Sequence, residues 1–147
     1  MEIGNKVVAK FIDGRVIKGQ TSDFYKSRPI FHVVPQGEKK AVNVEMPELK
    51  ALFFVKTFEG RKHQIRKLKH VPYQVYGRKA KICFEDGEEI EGFVQAFNPD
   101  EKVFLLVPDN PTSNNLRIFC NREAVAKIIW LAKEEKTAKK FKTEDYL

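Results

Sequence analysis

Short segments in which apolar and polar residues alternate recur along this chain. In residues 79–85 every second residue is apolar, and this alternation predicts a β-strand with one buried face. Asp-Gly pairs at residues 13–14 and 86–87 each stand between two such segments, which is a strong signal for a hairpin turn. The pattern therefore predicts antiparallel β-hairpins.

The same pattern occurs twice, 73 residues apart. Residues 6–35 align without a gap with residues 79–108, and ten of the 30 aligned pairs are identical. The shared residues include turn and strand positions that we predict to be structural, namely Asp13, Gly14, Gly19, Asp86, Gly87 and Gly92. An internal repeat predicts two copies of one folding unit.

Each copy continues after its third strand with an apolar strand, a short polar break and a second apolar strand. The breaks are too short for an α-helix and predict a single 3₁₀ turn. The predicted fold is all-β, with two tandem five-stranded SH3-like small barrels related by internal duplication. The barrels would span residues 1–58 and 78–135, with a basic linker at 59–77 and a charged tail at 136–147.

Two apolar runs, at residues 51–55 and 128–131, do not alternate. Strands that are covered on both faces have this pattern. We expect these runs to form the contact between the barrels, with one of them facing a partner chain as the alternative.

The linker is the basic centre of the molecule. The whole chain has a net charge of +7, and residues 61–77 contain five Lys or Arg and no acidic residue. A cluster of this kind is a nucleic-acid or anion signal, although a solvated connector has the same composition. The predicted contacts are Arg61, Lys62, Arg66, Lys67 and Lys69, together with Arg15 and Lys18 of the first copy.

Three positions have opposite charge in the two copies: Arg15/Glu88, Lys18/Glu91 and Arg28/Glu101. Attraction between the barrels would explain the reversal, within a chain or between chains, and so would an anionic partner that meets only the first copy. Unconstrained change at the surface is the third explanation.

A polar loop before the ninth predicted strand contains Asn114, Asn115 and Arg117. Their amide and guanidinium groups can donate hydrogen bonds to a ligand, while Asn is also common in turns. The loop is therefore a candidate polar site with a structural alternative.

Several classes of protein lack support in the sequence. It has no apolar run near 18 residues and no leader-like segment, so we expect a cytoplasmic protein with no membrane partner. Its two cysteines do not make a disulfide framework. No nucleophile, phosphate-loop or metal-ligand motif occurs, which predicts no enzyme activity, no metal and no cofactor.

Residues 5–19, followed by Phe24, resemble the first motif of the Sm-like proteins, which are RNA-binding small barrels. The second copy resembles it more weakly. That family expects an aspartate and an asparagine in the next loop, where this chain has Tyr25 and Pro29, and Asn98 and Lys102 in the second copy. The resemblance implies an Sm-like fold and no binding residue.

The tandem pattern, with its segment at residues 113–119, is also similar to uncharacterised bacterial domains found with PilZ or receiver modules. That resemblance implies a regulatory role. The predicted function is a non-enzymatic bacterial regulatory or adaptor protein that binds a protein partner, with a homodimer as one possibility. The alternative is RNA or single-stranded nucleic-acid binding through the linker and the first barrel.

Overall fold

A computed structural model of the protein describes residues 4–59 and 77–131. The regular structure in these residues consists of ten β-strands and two single turns of 3₁₀ helix. The N-terminal half (residues 4–59) contains β1 (Asn5–Phe11), β2 (Val16–Thr21), β3 (Ile30–Pro35), β4 (Val42–Glu45), a 3₁₀ turn at Met46–Glu48 and β5 (Leu49–Val55). The C-terminal half (residues 77–131) contains β6 (Arg78–Phe84), β7 (Glu89–Gln95), β8 (Val103–Pro108), β9 (Asn115–Asn121), a 3₁₀ turn at Arg122–Ala124 and β10 (Val125–Trp130). The all-β class agrees with the prediction.

The ten strands form one antiparallel sheet, in the order β10-β6-β7-β8-β9-β5-β1-β2-β3-β4. The sheet is not closed, and β10 and β4 are its edges within the described residues. The strand pairing therefore does not show the two separate closed barrels that the sequence predicts, because β5 of the first half pairs with β9 of the second half. A strand that is apolar on both faces cannot remain at an exposed edge without cost, and this pairing covers it.

The two halves have the same internal strand order, since β5-β1-β2-β3-β4 corresponds to β10-β6-β7-β8-β9. Their 3₁₀ turns begin with the same hydrogen bond, in which the amides of Met46 and Arg122 donate to the carbonyls of Pro29 and Lys102. Positions 73 apart therefore correspond as far as β3 and β8, and positions 76 apart correspond in the later strands.

Four glycines occupy positions in the two β-hairpins where a larger residue would be unfavourable. Gly14 and Gly87 have φ of +98° and +96° in the turns after β1 and β6, a region that favours glycine. In β2 and β7 a Cβ at Gly19 or Gly92 would lie 2.2 or 2.5 Å from a carbonyl oxygen of the neighbouring strand. The glycines thus permit a tight turn and a close strand pair in each half.

Candidate binding site at the junction of the two halves

The strand β5 joins the two halves, and all seven of its residues are buried. Leu52 and Phe54 belong to the hydrophobic cluster of the N-terminal half, whereas Ala51 and Phe53 belong to that of the C-terminal half. The absence of alternation in residues 51–55 therefore reflects cover on both faces. The run at 128–131 differs, because Ile129 on the edge strand β10 is 37% exposed.

Lys50 crosses the junction because a β-bulge changes its direction. In the β1–β5 pair Lys10 lies opposite Ala51 and Phe11 lies opposite Leu49, so Lys50 is the extra residue. Its side chain is only 9% exposed. The ammonium lies 4.8 Å from the centre of the Phe84 ring in the other half.

Two carboxylates of the C-terminal half accept hydrogen bonds from the Lys50 ammonium. The Oδ2 atom of Asp86 lies 2.8 Å from Nζ, and Oε1 of Glu88 is also bonded to it. Burial acts to lower the pKa of Lys50, but the two hydrogen bonds and the negative charges of the two acids together outweigh it and raise the pKa. The bond from Lys50 likewise lowers the pKa of Asp86. Lys50 and Asp86 are therefore both charged at neutral pH.

A second ion pair joins the loops that follow β2 and β7. Nζ of Lys26 lies 2.8 Å from Oε1 of Glu101. Glu101 and Glu88 are both positions at which the charge reverses between the halves, and each binds a lysine of the N-terminal half. Attraction within the chain thus accounts for the acidic residue at two of the three reversed positions.

Side-chain amides also hold the junction together. Asn121 donates from Nδ2 to the carbonyls of Pro47 and Leu49, at 3.2 and 2.9 Å. Beyond the end of β5, Asn114 accepts a hydrogen bond from the Thr57 amide at 3.1 Å and donates to the Thr57 carbonyl at 3.0 Å. These amides complete the strand pairing, which gives Asn114 a structural role.

A groove of about 480 Å³ opens where the loops of the two halves meet. Its lining combines an apolar set with a charged set and two small polar side chains, contributed by both halves. These residues are Pro29, Met46, Pro47 and Val103, then Lys26, Arg28, Glu101, Lys102 and Glu123, and finally Ser27 and Asn121. A groove of this size with a few converging polar groups is suited to a ligand.

A smaller cavity of about 270 Å³ shares Lys26 with the groove. It is lined by the rings of Phe24, Phe54 and Phe119, whose centroids lie 4.8 to 5.9 Å apart. The guanidinium of Arg117 lies 4.6 Å from the centre of the Phe54 ring. A cavity with cationic and aromatic lining therefore adjoins the groove at Lys26.

The structure separates the residues that the sequence proposes for binding. Arg15 bonds to Asp13 through Nε at 2.9 Å, and Lys18 donates to the Phe58 carbonyl at 3.3 Å. Asn115 is part of β9 and pairs with Val55. Arg117 alone among these residues lines one of the two cavities. The predicted linker contacts Arg61, Lys62, Arg66, Lys67 and Lys69, and the tail 136–147, lie outside the described residues.

Several junction residues are absent from the sequence-based site, above all Lys26, Lys50 and Asn121. The reversal of charge at Glu88 and Glu101 was the available signal, because attraction between the halves is one of the explanations for such a reversal. The identity of the cationic neighbours depends on the β5–β9 pairing, which lies beyond the reach of local patterns.

Neither a membrane-spanning helix nor a metal cluster occurs in the part of the chain that the structure describes. No helix there is long and apolar enough to cross a bilayer. No group of three or more His, Cys, Asp or Glu is placed to hold a metal ion within residues 4–59 and 77–131. The site consists of a mixed polar and apolar surface.

Comparison with known proteins gives one family. Residues 3–132 match the model of a family of unknown function, DUF6982. No curated protein and no solved structure matches the chain significantly. The match covers both halves and the segment between them.

Proposed function

The chain belongs to the DUF6982 family of unknown function, and from this premise we propose that it is a non-enzymatic adaptor that binds a protein partner in the junction groove. The observation that carries the proposal is the composition of the groove. Apolar side chains such as Met46 and Val103 line it together with charges of both signs, such as Lys102 and Glu123. A peptide segment presents apolar side chains, backbone polar groups and charges together, and this lining complements all three.

The two halves support this role as a pair of units joined by the pairing of β5 with β9. We propose that each half is an SH3-like small barrel unit produced by duplication, on the basis of the equal strand order and matching turn bonds. The Lys50 and Lys26 ion pairs then fix the position of one unit against the other. A cytoplasmic location agrees with two free thiols, Cys83 and Cys120, and a bacterial regulatory setting remains part of the proposal.

The groove can be tested by site-specific crosslinking in the native host. A photoreactive amino acid in place of Ser27, which lines the groove, is expected to give a discrete protein adduct. The same amino acid in place of exposed Val16 serves as the control.

The captured protein is then tested for binding to the purified chain. It should bind the native chain, and its affinity for the Lys102→Glu variant should be at least about tenfold lower, which is equivalent to about 1.4 kcal/mol. Lys6→Glu, which alters an exposed lysine of β1 outside the groove, is the matched variant. An adduct from both positions, or equal affinities, would refute the groove as the binding site.

Single-stranded nucleic acid is the second candidate, and a specific arrangement favours it. Tyr25 is 56% exposed, and the guanidinium of Arg28 lies 5.1 Å from its ring centre. Arg117 stacks on Phe54 in the adjoining cavity. Aromatic rings with stacked cations are a sequence-tolerant platform for bases.

Fluorescence anisotropy with a labelled single-stranded RNA, measured across a salt series, distinguishes the two candidates. Nucleic-acid binding predicts affinity that falls steeply with salt and is lost in a variant with Tyr25→Ala and Arg117→Ala. A further variant with Arg61, Lys62, Arg66, Lys67 and Lys69 changed to Gln tests the basic segment separately. Absence of binding at low salt would exclude this candidate and leave the protein partner.

A further inference from the structure

The internal junction provides a template for how a strand docks on one of these halves. In the junction β5 pairs with β9, the fourth strand of the C-terminal half. Val103 beside that edge is only 8% exposed and lies in the hydrophobic cluster of the N-terminal half. Glu88 and Glu101 bind lysines that come with the docked strand and its half.

The N-terminal half has the same edge, and no strand of the described residues pairs with it. Within the described residues its fourth strand, β4, pairs only with β3. Ile30, which corresponds to Val103, is 49% exposed. Arg15 and Arg28 stand at the places of Glu88 and Glu101. The surface that is covered in one half is thus open in the other, and its charge is reversed.

The cations of this edge are available to an anionic partner. Arg28 stacks on the ring of Tyr25 and has no carboxylate partner among the residues that the structure describes. Arg15 binds Asp13 through Nε and lies 4.0 Å from Glu48 through Nη2, and it keeps N–H donors beyond these two contacts, since a guanidinium has five. Lys39 and Lys40 precede β4 and are exposed. A strand that docked on this edge with carboxylates would place them beside cations. At the internal junction the charges are the other way round, because the half that contains β5 places lysines beside acids.

A second copy of this chain does not have the required charges. Its free edge is β10, where the residues that correspond to Lys50 and Lys26 are Ala126 and Pro99. Lys127, also on β10, adds a positive charge. Within the described residues, head-to-tail pairing of β10 with β4 would place no carboxylate at these two corresponding positions, so charge complementarity points to a different molecule.

We propose that the β4 edge of the N-terminal half binds an extended acidic segment of a partner protein by strand addition. The backbone of β4 supplies the hydrogen bonds, Ile30 supplies apolar contact, and Arg15 and Arg28 select for carboxylates. Asn43 stands where Phe119 anchors the internal junction, so the selected segment is more polar than β5. This surface adjoins the groove, with which it shares Arg28, and the proposal does not depend on the function proposed for the groove.

Two synthetic peptides test the charge rule on the native protein. The first has the sequence of residues 48–57 with glutamate in place of Lys50, and the second keeps the lysine. With a fluorescent label and anisotropy detection at low salt, the glutamate peptide is expected to bind at least tenfold more tightly. In the variant with Arg15→Glu and Arg28→Glu the preference should reverse. Lys6→Glu, which alters an exposed lysine of β1 outside both the groove and the β4 edge, should leave the preference unchanged.

Amide chemical shifts locate the binding site. The glutamate peptide is expected to shift residues 42–45 of β4. Equal affinity for the two peptides, no binding of either, or shifts confined to residues 101–103 would overturn the proposal. Concentration-dependent dimers in light scattering that dissociate when Ile129→Lys is introduced on β10 would also overturn it, because they would assign the edge to a second copy. The peptide comparison on the native chain decides the question even if the double variant does not fold.

Discussion

Lys50 couples the halves through an ammonium that is itself largely hidden from water, whereas its partners Asp86 and Glu88 remain about half exposed. This asymmetry decides which substitution is costly. Removal of the acids leaves a buried cation without partners, while removal of the cation leaves acids that water can solvate. The two halves of the ion pair are therefore not equivalent in their effect on stability.

We expect the double variant Asp86→Asn with Glu88→Gln to lose about 2 kcal/mol of unfolding free energy, because the buried ammonium loses its charged acceptors. Lys50→Met, which keeps the length of the side chain, should cost less than about 1 kcal/mol. Urea unfolding at pH 7 measures both. The triple variant should regain most of the loss; if it is as unstable as the double variant, the unpaired cation is not the cause.

The pKa of Asp86 is lowered in the folded protein, chiefly by the hydrogen bond from Lys50. A carboxyl whose folded pKa is lowered contributes stability above its unfolded pKa, near 3.9, and the contribution is lost as the pH falls through the folded pKa. We therefore expect stability to decrease as the pH falls below about 4. The decrease should be shallower in Asp86→Asn, measured as the free energy of urea unfolding between pH 7 and 2.5. A parallel pH curve in the variant would show that Asp86 does not contribute.

At the scale of elements, the close pairing of β7 with β8 depends on Gly92. A Cβ at this position would lie 2.5 Å from the carbonyl oxygen of Val107 and 3.1 Å from Leu106. Because the first contact is with backbone, the strands would have to separate. The same geometry occurs at Gly19 against β3, so the constraint belongs to this hairpin in both halves.

Gly92→Ala is expected to cost more than about 2 kcal/mol of unfolding free energy. Gly87→Ala provides the comparison, since its added Cβ meets no atom within 4 Å and only its positive φ is unfavourable, at about 1 kcal/mol. Thermal or urea unfolding of the two variants separates contact from conformation. Equal losses would mean that the contact with Val107 relaxes without cost.

Alternation and turn residues are local signals, and they were sufficient to predict the strands. The Asp-Gly turns at 13–14 and 86–87 and the 3₁₀ turns before β5 and β10 follow from such signals. The pairing of β5 with β9 does not follow from local signals, because the two strands are far apart in the sequence and no local pattern indicates which edge a distant strand joins. The residues of the groove were missed for the same reason, since Met46 and Val103 meet only through that pairing.

At the scale of the whole molecule, the position of β5 determines how the protein unfolds. Phe53 lies in the hydrophobic cluster of the C-terminal half although it belongs to the N-terminal half, and Val103 lies in the cluster of the N-terminal half although it belongs to the C-terminal half. Each core is completed by a residue from the other half. Neither half can lose its fold without opening the core of its neighbour, so the two should unfold in one cooperative step.

The single tryptophan of the chain, Trp130, tests this coupling because it lies in the C-terminal half. Phe31 is fully buried in the N-terminal half, and Phe31→Ala is expected to cost about 3 to 5 kcal/mol. If the halves unfold together, the substitution lowers the urea midpoint of the Trp130 fluorescence as much as that of the far-ultraviolet circular dichroism. Ile12→Ala, at an exposed position, should leave both midpoints almost unchanged. An unshifted Trp130 transition in Phe31→Ala would mean that the C-terminal half is stable without its neighbour, and that β5 joins the halves without making their folding one event.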